Sequence, residues 1–115
     1  MTSTVVTVLS SPFGSETRTR VMLVLHLLEE SYPRELARLL RVRLASVQGA
    51  LRGLERDGLV AGRTLGRSRV FQINPRYFAL AELRPYLSRL AEADTLLRDR
   101  ADSLRRRPRL TGKPM

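Results

Sequence analysis

The stretch PRELARLLRVRLASVQGALRGLERDG, residues 33–58, running on into LVAGRTLGRSRVFQI, residues 59–73, decides the fold. Pro33 suits the first turn of a helix, where its missing N–H has no intrahelical partner to lose. Leu36, Ala37, Leu39 and Leu40 then form one apolar face, with Arg34, Glu35, Arg38 and Arg41 opposite. That predicts a helix of about two turns before the chain bends. A further helix is expected over 44–57, because Val47, Ala50, Leu51 and Leu54 recur at i, i+3, i+4 and i+7, the spacing of a buried stripe. Gly58 ends it as a left-handed C-terminal residue. The period then changes from helix to strand: 59–65 and 68–73 flank a tight Gly66-Arg67 turn, which reads as a β-hairpin closed by Asn74-Pro75. Two helices joined by a short bend make a helix-turn-helix, and a hairpin directly after the second is a wing.

Upstream, Ser15 is a good N-cap and Glu16 favours the positive end of the helix dipole. The body from Val21 to Leu28 is apolar nearly all round, so this first helix should lie in the core and stop before Pro33. Residues 1–14 read as an N-terminal arm, weakly strand-like over Thr4–Leu9 and ended by Ser11-Pro12-Phe13-Gly14. Downstream, Leu80, Leu83, Leu87, Leu90, Asp94, Leu97, Ala101 and Leu104 are spaced three and four apart. They predict one long C-terminal helix within 77–107, with Pro85 either kinking it or marking its true start. The fold class is thus mainly α (α+β): a winged helix-turn-helix domain over 15–76, the long helix, and a disordered basic tail over 108–115. Leu83, Leu87, Leu90 and Leu97 are the expected dimerisation residues. Asp94 and Ala101 break the apolar seam, so packing of this helix on its own domain stays open.

Composition sets the outer limits. At 115 residues and 43% hydrophobic, the chain can bury one core and no more than one ordinary domain. It has no cysteine, which excludes disulfides, thiolate metal sites and Cys nucleophiles. The longest apolar run is far short of a bilayer span, and Met1-Thr2-Ser3-Thr4 lacks a basic leader. A cytoplasmic location without membrane partners is therefore expected. Net charge is +10, and it is unevenly placed. Ten arginines between Arg34 and Arg76 face only Glu35, Glu55 and Asp57, and the segment 105–115 holds four arginines and Lys113 with no acid. Such concentration points to a polyanion, although an arginine-rich compositional habit would also produce it.

Phe13-Gly14-Ser15, Arg34-Glu35-Leu36-Ala37, Val47-Gln48, Ala50-Leu51, Leu54-Glu55, Gly58-Leu59-Val60 and Gly66-Arg67 together resemble winged-helix regulators of the ArsR-like superfamily. The resemblance covers residues 13–75 and continues less specifically through Leu80–Leu83. It implies a homodimeric repressor of double-stranded DNA in which the helix at 44–57 reads bases and the wing at 59–73 grips backbone or minor groove. Two positions depart from the pattern: Arg41 stands where the bend usually has glycine, and Arg43 where Ser or Thr usually caps the recognition helix. Metal sensing in that superfamily uses Cys or His clusters, and with no cysteine and one histidine it does not carry over.

The expected DNA-binding residues are Arg41, Arg43, Ser46, Gln48, Gly49, Arg52, Arg63, Arg67 and Arg69. Gln48 and Arg52 lie four apart on one helix face; Gln can pair bidentately with adenine and Arg with guanine, and a solvated face is the plainer alternative. Arg41 and Arg43 would add phosphate contacts, and Ser46 could donate to a phosphate or a base edge. Gly49 keeps the helix surface low for a close backbone approach. Arg63, Arg67 and Arg69 suit phosphates or the minor groove better than base edges. His26 reads as a core histidine. No nucleophile–base–acid set, phosphate loop or carboxylate pair can be assembled, so no enzyme, metal or cofactor is expected. The chain reads as a sequence-specific DNA-binding transcriptional regulator, with a small-molecule effector left unidentified. A winged-helix protein-interaction module, or a nonspecific nucleic-acid-binding protein, is the alternative.

Overall fold

The computed structural model describes residues 12–106. Residues 1–11 of the expected arm and the whole expected tail, 108–115, lie outside the described residues. The elements are α1 Glu16–Leu28, α2 Pro33–Leu40, α3 Leu44–Arg56, β1 Val60–Leu65, β2 Ser68–Ile73, α4 Leu80–Ala93 and α5 Thr95–Arg106.

Ser15 caps α1: its hydroxyl accepts from the Arg18 N–H at 3.1 Å, and Glu16 sits in the first turn. Val21, Met22, Leu23, Val24 and Leu25 are buried on all sides, because α1 is the axis of the core and packs against α2, α3, α4, α5 and β2. The apolar stripe of α3 (Val47, Ala50, Leu51, Leu54) turns onto it. Each such buried Leu or Val contributes on the order of 2 kcal/mol.

α1 ends four residues short of Pro33, at Leu28, and Glu29 takes a positive φ of 77° to turn the chain. The reason is the next segment. Ser31 exchanges two backbone hydrogen bonds with Phe71, N to O at 3.0 Å and O to N at 2.8 Å, so one residue of the α1–α2 connection lies alongside β2. The Ser31 hydroxyl also donates to the buried Glu35 carboxylate of α2 at 2.6 Å. Ser31 therefore joins the wing to the helix-turn-helix.

α3 closes as its sequence predicts: Gly58 has φ 82° and the Leu59 N–H reaches the Leu54 carbonyl at 2.9 Å, a Schellman closure. β1 and β2 pair antiparallel from Val60↔Ile73 to Leu65↔Ser68 around the Gly66-Arg67 turn. Asn74 locks the base of this hairpin, its amide donating to the Gly58 carbonyl at 2.9 Å.

The C-terminal helix differs from the expectation of one long helix. Pro85 neither breaks α4 nor starts it; the helix runs through, with Pro85 on the solvent side. The break falls at Asp94, whose Oδ1 accepts from the Leu97 N–H at 3.1 Å and so caps a second helix, α5. The turn lets α5 fold back on α1 and α2, where Leu97 and Ala101 are buried and the Arg100 guanidinium donates to the Leu39 carbonyl at the end of α2, at 2.8 Å. No helix among the described residues is long and apolar enough to cross a membrane.

Candidate nucleic-acid interface

The outward side of α3 carries no acid before Glu55 in its last turn. From Arg41 to Leu54 the chain has three arginines and no Asp or Glu, and burial of Val47, Ala50, Leu51 and Leu54 turns Arg43, Ser46, Gln48 and Arg52 to solvent. Arg41 joins them at the bend between α2 and α3. It holds the left-handed conformation, φ 58° and ψ 45°, that the C-terminal residue of a helix often takes. An L side chain there costs about 1–2 kcal/mol relative to glycine's free access. Arg43 occupies the N-cap position of α3 without giving a side-chain hydrogen bond. Both departures noted in the sequence thus forgo local helix-capping stability and leave a guanidinium exposed at the N-terminal end of α3, where backbone N–H groups and the helix dipole already favour an anion.

The two glycines of α3 face different surroundings. A Cβ built at Gly49 would meet only the Arg52 guanidinium, at 3.9 Å, an ordinary contact. Nothing inside the protein requires glycine there, and alanine is the better helix former. At Gly53 a Cβ would overlap the Arg18 guanidinium, which crosses from α1, lies on the bare backbone and pairs with Asp57 at 3.3 Å. Gly53 is an internal packing glycine; Gly49 faces outward.

The wing arginines divide likewise. Arg63 of β1 pairs with Glu30 at 3.0 Å, tying β1 to the α1–α2 connection. Arg69 of β2 pairs with Glu55 of α3 at 3.0 Å, and its guanidinium lies 4.9 Å from the centre of the Phe71 ring. Arg67, at the turn, is exposed and has no ion pair among the described residues. Arg41, Arg43 and Arg52 share that condition. The structure therefore groups Arg41, Arg43, Ser46, Gln48, Gly49 and Arg52 on α3 and its approach, sets Arg67 apart on the wing tip, and engages Arg63 and Arg69 with acids. Sequence reading gave no role to Glu30, Glu55, Asp57 and Arg18. The one available signal was Gly53, a glycine on a buried helical stripe, which marks a close approach by something else.

The four leucines expected at a dimer seam, Leu83, Leu87, Leu90 and Leu97, are at most 8% exposed and pack inside this chain's own core. Phe78, at 91% exposure, is instead the large apolar side chain most open to solvent among the described residues, with Tyr86 half-exposed on α4 against Phe13. His26 sits between α1 and α4, its Nε2 2.9 Å from the Ser88 hydroxyl and its Nδ1 buried without a partner. Desolvation, and secondarily the Arg84 charge, hold its pKa below the usual 6.5.

No protein-family model matches the chain, and no curated protein does. Among solved structures, reduced HlyU from Vibrio cholerae is similar at a TM-score of 0.55 and 23% identity, over 79% of this chain and 90% of that one. The adhesin competence repressor AdcR from Streptococcus pyogenes is similar at a TM-score of 0.54 and 17% identity, over 85% and 77%. At such identities the likeness is one of fold, and it agrees with the helix order and hairpin described above: the chain is a winged helix-turn-helix.

Proposed function

We propose that this winged-helix chain is a sequence-specific double-stranded-DNA-binding transcriptional regulator, not an enzyme, with α3 in the major groove and the wing tip on backbone or minor groove. The observation that carries the reading is the acid-free stretch from Arg41 to Leu54, where guanidiniums without an ion pair among the described residues flank Ser46, Gln48 and a glycine that the protein's own packing does not require. Gln48 and Arg52 are the base-reading pair, with bidentate geometry available to adenine and guanine. Arg41, Arg43, Ser46 and Arg67 take phosphates, which position the protein without carrying sequence information. Gly49 admits the DNA backbone close to the helix.

Repression is the mode we assign, by analogy with a fold neighbour described as a repressor. The protein would act as a homodimer, reading two half-sites with its own two-fold symmetry. Because Leu83, Leu87, Leu90 and Leu97 are occupied within the protomer, the second copy would meet exposed side chains, of which Phe78 and Tyr86 are the largest apolar ones on this part of the chain.

The test is selection from a randomised duplex library at two salt concentrations, followed by sequencing of the retained fraction. A two-fold symmetric motif with half-sites about one helical turn apart is expected. Retention that disappears at physiological salt with no enriched motif would mean that the positive charge is generic and the reading is wrong.

A further inference from the structure

Arg69 is held on three sides. Its Nη2 lies 3.0 Å from Glu55 Oε2 on α3. Its guanidinium carbon lies 4.9 Å from the centroid of the Phe71 ring. Below it is Gly62 of β1, paired across the hairpin with Phe71. A Cβ at Gly62 would come within 2.5 Å of Arg69 Nη2 and 2.8 Å of Phe71 Cε2, so the guanidinium and ring occupy the space that any other residue would need.

We propose that Arg69 is a positioning residue and not a DNA contact: with Glu55 as anchor, Phe71 as platform and Gly62 as seat, it fixes the angle of the wing against the recognition helix. Its consequence for DNA rests on the function proposed above; the clasp itself does not. The chemistry suits arginine alone. A planar guanidinium presents an edge to a carboxylate and a face to a ring at once, whereas an ammonium is a point charge and cannot do both. Reaching a phosphate would require Arg69 to leave the carboxylate, the ring and the glycine together, and would expose the Glu55 charge to the DNA. Arg63–Glu30 and the Ser31–Phe71 backbone pair tether the same hairpin elsewhere. Arg69 is distinct in pairing with α3 itself: among the described wing arginines it is the one whose ion pair falls on the helix that reads bases, adding a side-chain clasp to the packing of β1 on α3.

Both partners are substantially exposed, Arg69 at 48% and Glu55 at 36% of the side chain. Such pairs add little to global stability, so variants remain folded and measurable. The experiment is the salt dependence of affinity for the selected motif and for scrambled duplex, in wild type, R69A, R69K, E55Q, G62A and R67A, together with amide hydrogen exchange of the free proteins. R67A should flatten the log–log salt slope by about 0.9, the loss of one phosphate contact. R69A should leave the slope unchanged and lower the motif-over-scrambled ratio about tenfold, the scale of a misplaced base reader. R69K and G62A, which keep the charge, should narrow that ratio as R69A does, and E55Q should steepen the slope by freeing Arg69. A slope flattened by R69A as by R67A, with the ratio intact, overturns the proposal. In free protein, R69A and G62A should speed exchange across 60–73 and leave α3 unchanged; unchanged wing exchange overturns the clasp whatever the DNA result. Faster wing exchange in a protein that binds no duplex supports the clasp and overturns the DNA reading.

Discussion

Replacing Asp94 by alanine has opposite consequences for the two ways of drawing the C-terminal segment. In one continuous helix, Asp94 is an interior residue of poor propensity, and alanine improves stability by about 0.5 kcal/mol. In the structure Asp94 caps α5 through its bond to the Leu97 N–H, and its Oδ2 lies 3.5 Å from Arg20 Nε with the Asp side chain 10% exposed. Loss of an N-cap costs about 1 kcal/mol. The ion pair adds less than a fully buried one: the Arg20 side chain is 34% exposed and keeps Glu16 at 3.2 Å, so it is not stranded. We place that contribution at about 0.5–1 kcal/mol, and expect Asp94→Ala to destabilise by about 1.5–2 kcal/mol. Asp94→Asn keeps an acceptor for the Leu97 N–H and loses only the charge, so about half that loss is expected. Urea unfolding followed by circular dichroism near neutral pH gives both numbers. An alanine variant as stable as wild type, or more so, would refute the capped break and restore the continuous helix.

Three further outcomes are expected. Gly49→Ala should raise stability by up to about 1 kcal/mol in thermal unfolding while weakening binding to the selected duplex; a variant that binds as well as wild type would remove the close-approach role of Gly49. Arg52→Ala should cost about 1–3 kcal/mol at one base position and relax preference there, whereas Arg67→Ala should weaken all duplexes alike; competition with single-base variants of the motif distinguishes them. His26, the chain's single histidine, has its pKa below 6.5 when folded, so the folded state binds its proton less readily than the unfolded chain. Its contribution is therefore fully present above pH 6.5 and is lost as pH falls from there towards the lowered folded value, below which no more is lost. A histidine NMR titration with a midpoint at or above 6.5, or His26→Gln stability falling with pH as steeply as wild type, would contradict this.

The helices and the hairpin were legible because each is announced locally: a breaker cluster before Ser15, a proline at 33, glycines at 58 and 66, and a change of period between 57 and 59. Asp94 was not, although aspartate is a favoured cap. It follows Ala93 and stands in register with Leu90 and Leu97, so by spacing it is a polar residue in an apolar seam. Only the return of α5 onto α1 and α2 makes it a cap. The four leucines show the same limit. Spacing of three and four says that a helix face is buried and is silent on what buries it, a second copy or the chain's own core.

The interface divides along the same line. That positive charge crowds residues 34–76 can be counted, but which arginines stay uncancelled depends on acids distant along the chain. Arg63 finds Glu30, 33 positions away, and Arg18 finds Asp57, 39 away. Two of the three acids inside the basic region, Glu55 and Asp57, lie at the C-terminal end of α3 and are paired with Arg69 and Arg18. The N-terminal half of α3 is left without any carboxylate, so the field at Arg43 and Gln48 is stronger than an even spread of the net charge would give. A carboxylate introduced there, as in Gln48→Glu, would oppose phosphates directly, whereas the natural carboxylate at 55 opposes none while Arg69 covers it. On that argument position within α3, and not net charge, decides what an acid does. Gln48→Glu and Arg56→Glu alter net charge by different amounts, minus one and minus two, yet the smaller change should be the more damaging to duplex affinity. Equal or reversed losses would mean that the interface responds to overall charge alone.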